Sequence, residues 1–186
     1  MQKIFKGKIN VEKIKEGDVV LIKVSSNKLV ETNIEILKHY ISKKNYGVVY
    51  VTVNKPFSDL KNRFKKAKID INKIFIIDAV SPRSLIKSTR IENAVFVESP
   101  KELTNISIST SSAIKKLKTA KILIFDSIST LLFYNDFIIV KDFIRFIAKE
   151  MKKLKITFAM ICIKDMTDEK VLSELSSFVD DVIEIK

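Results

Sequence analysis

Two kinds of apolar pattern alternate along this chain: continuous runs, and stretches in which apolar positions return every third or fourth residue. The runs are Asp18 to Val24 (DVVLIKV), Val48 to Val53, Lys73 to Ala79 (KIFIIDA), Ile122 to Phe125, Ile156 to Ile163 and Val182 to Ile185. They are short and rich in Val, Ile and Phe, which predicts strands buried on both faces, as in a parallel sheet. A further short strand is expected at Ala94 to Glu98, ended by Ser99-Pro100.

The periodic stretches predict the helices. Val30, Ile34, Leu37 and Ile41 fall at helical spacing, with Thr32, Glu35, Lys38 and His39 on other faces and Gly47 closing the segment. Pro56 begins a second helix, where its missing N–H is no loss, and Leu60, Phe64 and Ala67 form its stripe. A third is expected from about Asn105 to Leu117, using Ile106, Ile108, Ala113, Ile114 and Leu117. After Leu131 to Tyr134 and a break at Asn135-Asp136 comes a strongly amphipathic segment, with Val140, Phe143, Ile144, Ile147, Met151 and Leu154 on one side. A short helix at Asp168 to Ser176 is capped by Thr167 or Asp168. Val80 to Asn93, with Pro82, Arg83 and Arg90, reads as a long connection.

Strands alternating with helices imply an α/β fold, a three-layer sandwich around a mostly parallel central sheet. Three Gly and three Pro are scattered over the whole length, with no linker or repeat, so residues 1–186 are expected to form a single domain. Residues 1–16 are a short basic segment whose Ile4, Phe5, Ile9, Val11 and Ile14 are available to pack on it.

Composition narrows the function classes. A content of 46% hydrophobic and 30% charged residues suits a folded domain. No apolar run approaches the roughly 18 to 20 residues of a membrane span, and the first residues do not lead into a secretory core, so a cytoplasmic location without a membrane partner is expected. Cys162, the single cysteine, lies in an apolar run and reads as a small buried hydrophobe. His39, the single histidine, has Glu35 and Lys43 one helical turn away on either side and reads as exposed. The net charge of +12 is uneven: residues 1–68 carry 16 basic and 6 acidic side chains, residues 119–186 carry 10 and 11. Lys61, Arg63, Lys65, Lys66 and Lys68 are the candidate nucleic-acid contacts, although the excess of Lys over Arg favours a plain solvated surface.

The candidate chemistry centres on Ile122-Leu123-Ile124-Phe125-Asp126-Ser127-Ile128-Ser129-Thr130. Asp126 and Ser127 end a buried strand at the edge where open α/β sheets hold ligands. If a magnesium ion binds, Asp126 would orient it; the reading preferred here is that Asp126 caps the backbone amides of Ser129 or Thr130. A phosphate loop of the form GxxxxGK[ST] would have to lie between the first strand and its helix. There the chain reads Val24-Ser25-Ser26-Asn27-Lys28-Leu29-Val30-Glu31-Thr32, without a glycine. Lys28 is the only cation in that stretch, and Glu31 would repel phosphates.

The order DVVLIKVSSNK, GVVYVTVNKP, KIFIIDA, ILIFDSIST, ITFAMICIKD and FVDDVIEIK resembles the RecA/KaiC-like ATPase core of archaeal regulators, from about Gly17 to the end. SPKELTNISISTSSAIKKL followed by ILIFDSISTLLFYND is similar to archaeal KaiC-like proteins that lack a working phosphate loop. The resemblance implies a RecA-like P-loop NTPase fold with Asp126 as the Walker B aspartate and Ser127 beside it. The family's loop lysine and threonine find no match, and its catalytic glutamate is matched by Asn54, which cannot take a proton from water. A degenerate nucleotide site of Lys28, Glu31, Asn54, Asp126 and Ser127 follows, with no catalytic residue and no cofactor or metal expected. ATP with magnesium is kept as an alternative. The expected function is a pseudo-ATPase acting as a regulatory or protein-interaction module, with a protein partner or homo-oligomer; nucleic-acid binding and noncanonical ATP binding are its alternatives.

Overall fold

The computed structural model describes residues 2–5, 11–81 and 91–185. The strands are β1 (Gln2–Phe5), β2 (Val19–Val24), β3 (Gly47–Thr52), β4 (Ile74–Asp78), β5 (Ala94–Phe96), β6 (Ala120–Asp126), β7 (Thr157–Ile163) and β8 (Asp181–Ile185). They form one sheet in the order β1-β8-β2-β7-β6-β3-β4-β5. Every pairing is parallel. The helices are α1 (Leu29–Lys38), α2 (Phe57–Lys66), α3 (Leu103–Lys116), α4 (Ile128–Tyr134), α5 (Phe137–Leu154) and α6 (Glu169–Ser176).

Alternation along each strand divides the core in two. Val20, Ile22, Tyr50, Ile122, Ile124 and Ile161 point toward the layer of α1 and α2. Leu21, Val49, Val51, Leu123, Phe125 and Met160 point toward α3, α5 and α6. Both faces are therefore covered, which explains why the strands read as unbroken apolar runs. The strand carrying Cys162 is buried throughout, and burial pushes its thiol up to about 12, out of nucleophile range. The opening segment contributes β1, paired to β8 at the sheet edge, and buries Val11 and Ile14 in the α1 and α2 layer.

Several expectations need correction. The buried stripe of α1 is Leu29, Thr32, Asn33, Ile36 and Leu37, while Val30 is exposed and Ile34 half-buried. The stripe is rotated because the sheet beneath offers polar partners to Asn33. Gly47 does not close the helix: the left-handed turn falls at Asn45 (φ 58), and Gly47 is the first residue of β3. Helix α3 begins two residues before Asn105, with Thr110 buried by a bond to the Ile106 carbonyl and Ile108 exposed. On α5, Leu154 is exposed at the helix end. The connection through Pro82, Arg83 and Arg90 lies outside the described residues.

Gly47 is required by space. A Cβ there would sit 2.7 Å from Thr119 Oγ1 and 2.8 Å from Leu117 Cδ2. Gly47→Ala should destabilise the fold by roughly 1–3 kcal/mol, measured as a lower midpoint in urea unfolding; an unchanged midpoint would mean that Leu117 and Thr119 move aside freely.

Candidate functional site

Because all strands are parallel, the exits of β2, β3, β6 and β7 lie on one edge of the sheet, and the segments that follow them meet there. β7 lies between β2 and β6, and β3 flanks β6 on the other side.

The exit of β2 turns directly into a single tight helical turn, Ser26–Lys28, and then into α1. Ser25 Oγ donates to Asn27 Oδ1 at 2.6 Å, and the Lys28 amide bonds the Ser25 carbonyl at 2.9 Å. Both donors of Ser26 are taken by a residue from the far end of the chain. Asp165 Oδ2 accepts from the Ser26 amide at 3.0 Å and from Ser26 Oγ at 3.2 Å. Lys28 Nζ pairs with Glu31 Oε2 at 3.0 Å, so the cation of this turn is matched by the carboxylate one turn later.

Asp165 is held in place by the β6 side of the edge. Ser127, fully buried, caps α4: its Oγ accepts from the Thr130 amide at 3.3 Å and lies 2.9 Å from Thr130 Oγ1. Ser129 Oγ accepts from the Ile163 amide at 2.6 Å and from Thr167 Oγ1 at 2.7 Å. Those bonds clamp both ends of the turn that carries Asp165.

Asp126 does not cap α4; Ser127 does, which corrects the expectation that Asp126 would bond the Ser129 or Thr130 amides. The Asp126 side chain is 2% exposed and turns the other way, toward α1. Its Oδ2 accepts from Tyr50 Oη at 2.6 Å and Asn33 Nδ2 at 3.1 Å, and Asn33 Nδ2 also donates to Tyr50 Oη at 3.0 Å. Asp126 Oδ1 and Asn33 Oδ1 are buried without a hydrogen-bond partner. Burial pushes the Asp126 carboxyl above its ordinary range; the Tyr50 bond, the nearby Asn54 amide, the Lys55 charge and the Asn33 bond oppose that shift without cancelling it. Burial, with the Asp126 charge and hydrogen bond, likewise holds the Tyr50 phenol well above its usual value.

Asn54 sits half-buried in the β3–α2 turn. Thr52 shapes that turn, its Oγ1 donating to the Lys55 carbonyl at 2.7 Å and accepting from the Lys55 amide at 3.0 Å. Asp78 at the end of β4 anchors the start of α2, accepting from the Phe57 amide at 2.7 Å. Among the basic residues of α2, Lys61, Lys65 and Lys66 are exposed, as is Lys68 beyond its end, whereas Arg63 is half-buried and turned toward the α1–α2 side. The five therefore do not form one uniform face.

Asp126, Asn54, Lys28, Glu31 and Ser127 all lie along this edge, but in two separate clusters. Asn33, Tyr50, Ser129 and Asp165 were not singled out from the sequence. A polar Asn at a position that packs inward on α1 was the signal available for Asn33. A carboxylate two residues past β7 was the one for Asp165. Among the described residues, no group of three or more His, Cys, Asp and Glu side chains is placed to hold a metal ion, and no helix is long and apolar enough to cross a membrane.

A family model described as "ATPase: KaiC" matches residues 32–186. Among solved structures, a KaiC-like protein from the hyperthermophilic archaeon Pyrococcus horikoshii OT3 superposes with a TM-score of 0.64 at 12% identity, over 92% of this chain and 73% of that one. None of the curated proteins matches significantly.

The raised pKa of Asp126 gives a pH signature. The folded state holds this proton more tightly than an unfolded chain, whose value is near the ordinary 3.8. Stability from this group is therefore complete below that value and is lost as pH rises through the folded one. Asp126→Asn keeps an acceptor for Tyr50 and removes the titration. Its stability relative to wild type should rise across that window and then level off in urea unfolding at a series of pH values; a pH-independent difference would contradict the buried, titrating carboxyl.

Proposed function

The chain belongs to the KaiC family of ATPases, and from that premise we propose that it is a non-hydrolysing member, a domain that serves as a regulatory or protein-interaction module. The observation that carries this reading is the Asp165 carboxylate on the Ser26 amide and hydroxyl. A phosphate loop works by offering free backbone N–H groups to an anion. Here one of the chain's own anions takes the offer, and a phosphate arriving beside it would meet like-charge repulsion. The pairing of Lys28 with Glu31 removes the other source of attraction. Asn54, at the β3 exit, has no proton-accepting carboxylate to activate a water. These residues do not fit a nucleotide triphosphate with magnesium, and no catalytic step is assigned to them.

The interaction half of the proposal draws on apolar side chains left in solvent along α4 and α5. Phe133 and Ile138 are each 67% exposed, Phe146 54% and Ile139 53%. Grouped exposure of this kind on two consecutive helices suits a protein partner or a further copy of the chain. A second reading, nucleic-acid binding, is favoured by the exposure of Lys61, Lys65, Lys66 and Lys68. It requires affinity that falls steeply with salt.

Titration calorimetry with ATP and magnesium should give no saturable heat up to about 1 mM, and phosphate release should match the buffer blank. Micromolar binding, or turnover abolished by Asp126→Ala, would overturn the proposal. The second reading instead predicts, in fluorescence anisotropy with single-stranded and duplex oligonucleotides at low salt, binding that Lys61→Ala with Lys65→Ala reduces, and absence of binding there would eliminate it.

A further inference from the structure

Helix α5 turns Val140, Ile144, Ile147 and Met151 into the core. On the opposite side Ile139, Asp142, Phe146 and Lys149 recur at i, i+3, i+7 and i+10, one line along the helix, and all four are exposed. Arg145 is exposed beside that line, its guanidinium held 5.2 Å from the centre of the Phe178 ring. Phe133, just before the helix, and Leu154, at its end, add exposed apolar surface.

Charge on this face is sorted by position. Lys141, Lys152 and Lys153 are paired with Glu174, Asp180 and Glu150. The exposed charges that remain are acidic in the first half, Asp136 at the N-cap and Asp142, and basic in the second, Arg145 and Lys149. A partner of either sign would meet a like charge in one half of the helix. A second copy of the helix running the other way meets opposite charges in both. Antiparallel pairing about a two-fold axis between residues 142 and 143 sets Ile139 opposite Phe146 of the second copy, Asp136 opposite Lys149 and Asp142 beside Arg145, and each contact occurs twice. A parallel pairing would set each charge against itself. The rest of the chain favours this face for self-association. Residues 1–68, with 16 basic and 6 acidic side chains, repel their like, whereas residues 119–186, which hold α5, carry 10 and 11.

We propose that the chain forms a two-fold dimer through α5, with Ile139 and Phe146 as its apolar contacts and Asp142 with Arg145 as the pair that fixes its antiparallel direction. This names the occupant for the interaction half of the proposed function and does not depend on the absence of hydrolysis. An 18-residue helix is about 27 Å long. The contact is therefore smaller than the standard interface of about 1,600 Å², and a dissociation constant of about 10–100 µM is expected.

Sedimentation equilibrium of the full chain from about 5 to 500 µM tests the dimer. Wild type should show a monomer–dimer equilibrium, and Phe146→Asp, Asp142→Arg and Arg145→Asp should each weaken it by about tenfold or more. All three positions are exposed, so the buried stripe of α5 stays intact. An equimolar mixture of Asp142→Arg and Arg145→Asp should pair at least as well as wild type, because one copy then brings two cations and the other two anions. A chain that stays monomeric at about 500 µM overturns the proposal, while calorimetry with ATP decides the non-hydrolysing reading separately. A dimer indifferent to Phe146→Asp and Asp142→Arg uses another face and overturns it too. Failure of the mixed variants to pair removes the antiparallel contact, and growth beyond the dimer would mean a head-to-tail assembly; either result overturns the proposal.

Discussion

A parallel sheet covered on both faces leaves its polar groups one place to go, the strand ends. In this protein the strands of the sheet's interior, β2, β3, β4, β6 and β7, are buried between two helical layers, so Asp126, Ser127, Thr52 and Asp78 are buried at or just past the exits of β6, β3 and β4. Each must be met by a partner or stay unsatisfied. Asp78 is met by the start of α2, Thr52 by its own turn and Ser127 by the first turn of α4. Asp126 is met on one oxygen only. The remaining geometry of the edge follows from how these demands are divided.

The division is uneven on the two sides of β6. Toward β7 and β2 the hydroxyls of Ser129 and Thr167 clamp a turn that delivers Asp165 to Ser26, so those groups find their partners within the chain. Toward β3 and α1 the bonds of Asn33 and Tyr50 converge on a single carboxylate oxygen, and two acceptors are left over. The first cluster is closed and the second is open. Along one edge the chain thus places its own carboxylate against Ser26 on one side of β6 and two unmet acceptors on the other.

The layers were legible because burial on both faces writes itself into consecutive Val, Ile and Phe residues, and burial on one face into helical spacing. Seven of the strands and the helix stripes of α2 and α5 follow from that pattern, with Leu154 misplaced only because it sits at a helix end. The stripe of α1 was displaced by one position because hydrophobicity alone ranks Val30 above Asn33. The tertiary structure ranks them the other way, through two hydrogen bonds that have no signature in periodicity.

The sequence by itself determined the strand and helix content, the parallel architecture, the strand end at Asp126 and the absence of glycine between Val24 and Thr32, since each is a property of contiguous residues. Only the tertiary structure decided which carboxylate answers which donor. Asp165 reaches Ser26 across 139 positions and Tyr50 reaches Asp126 across 76. Such pairings depend on which strand exits the crossovers bring side by side, and local pattern carries no record of that choice.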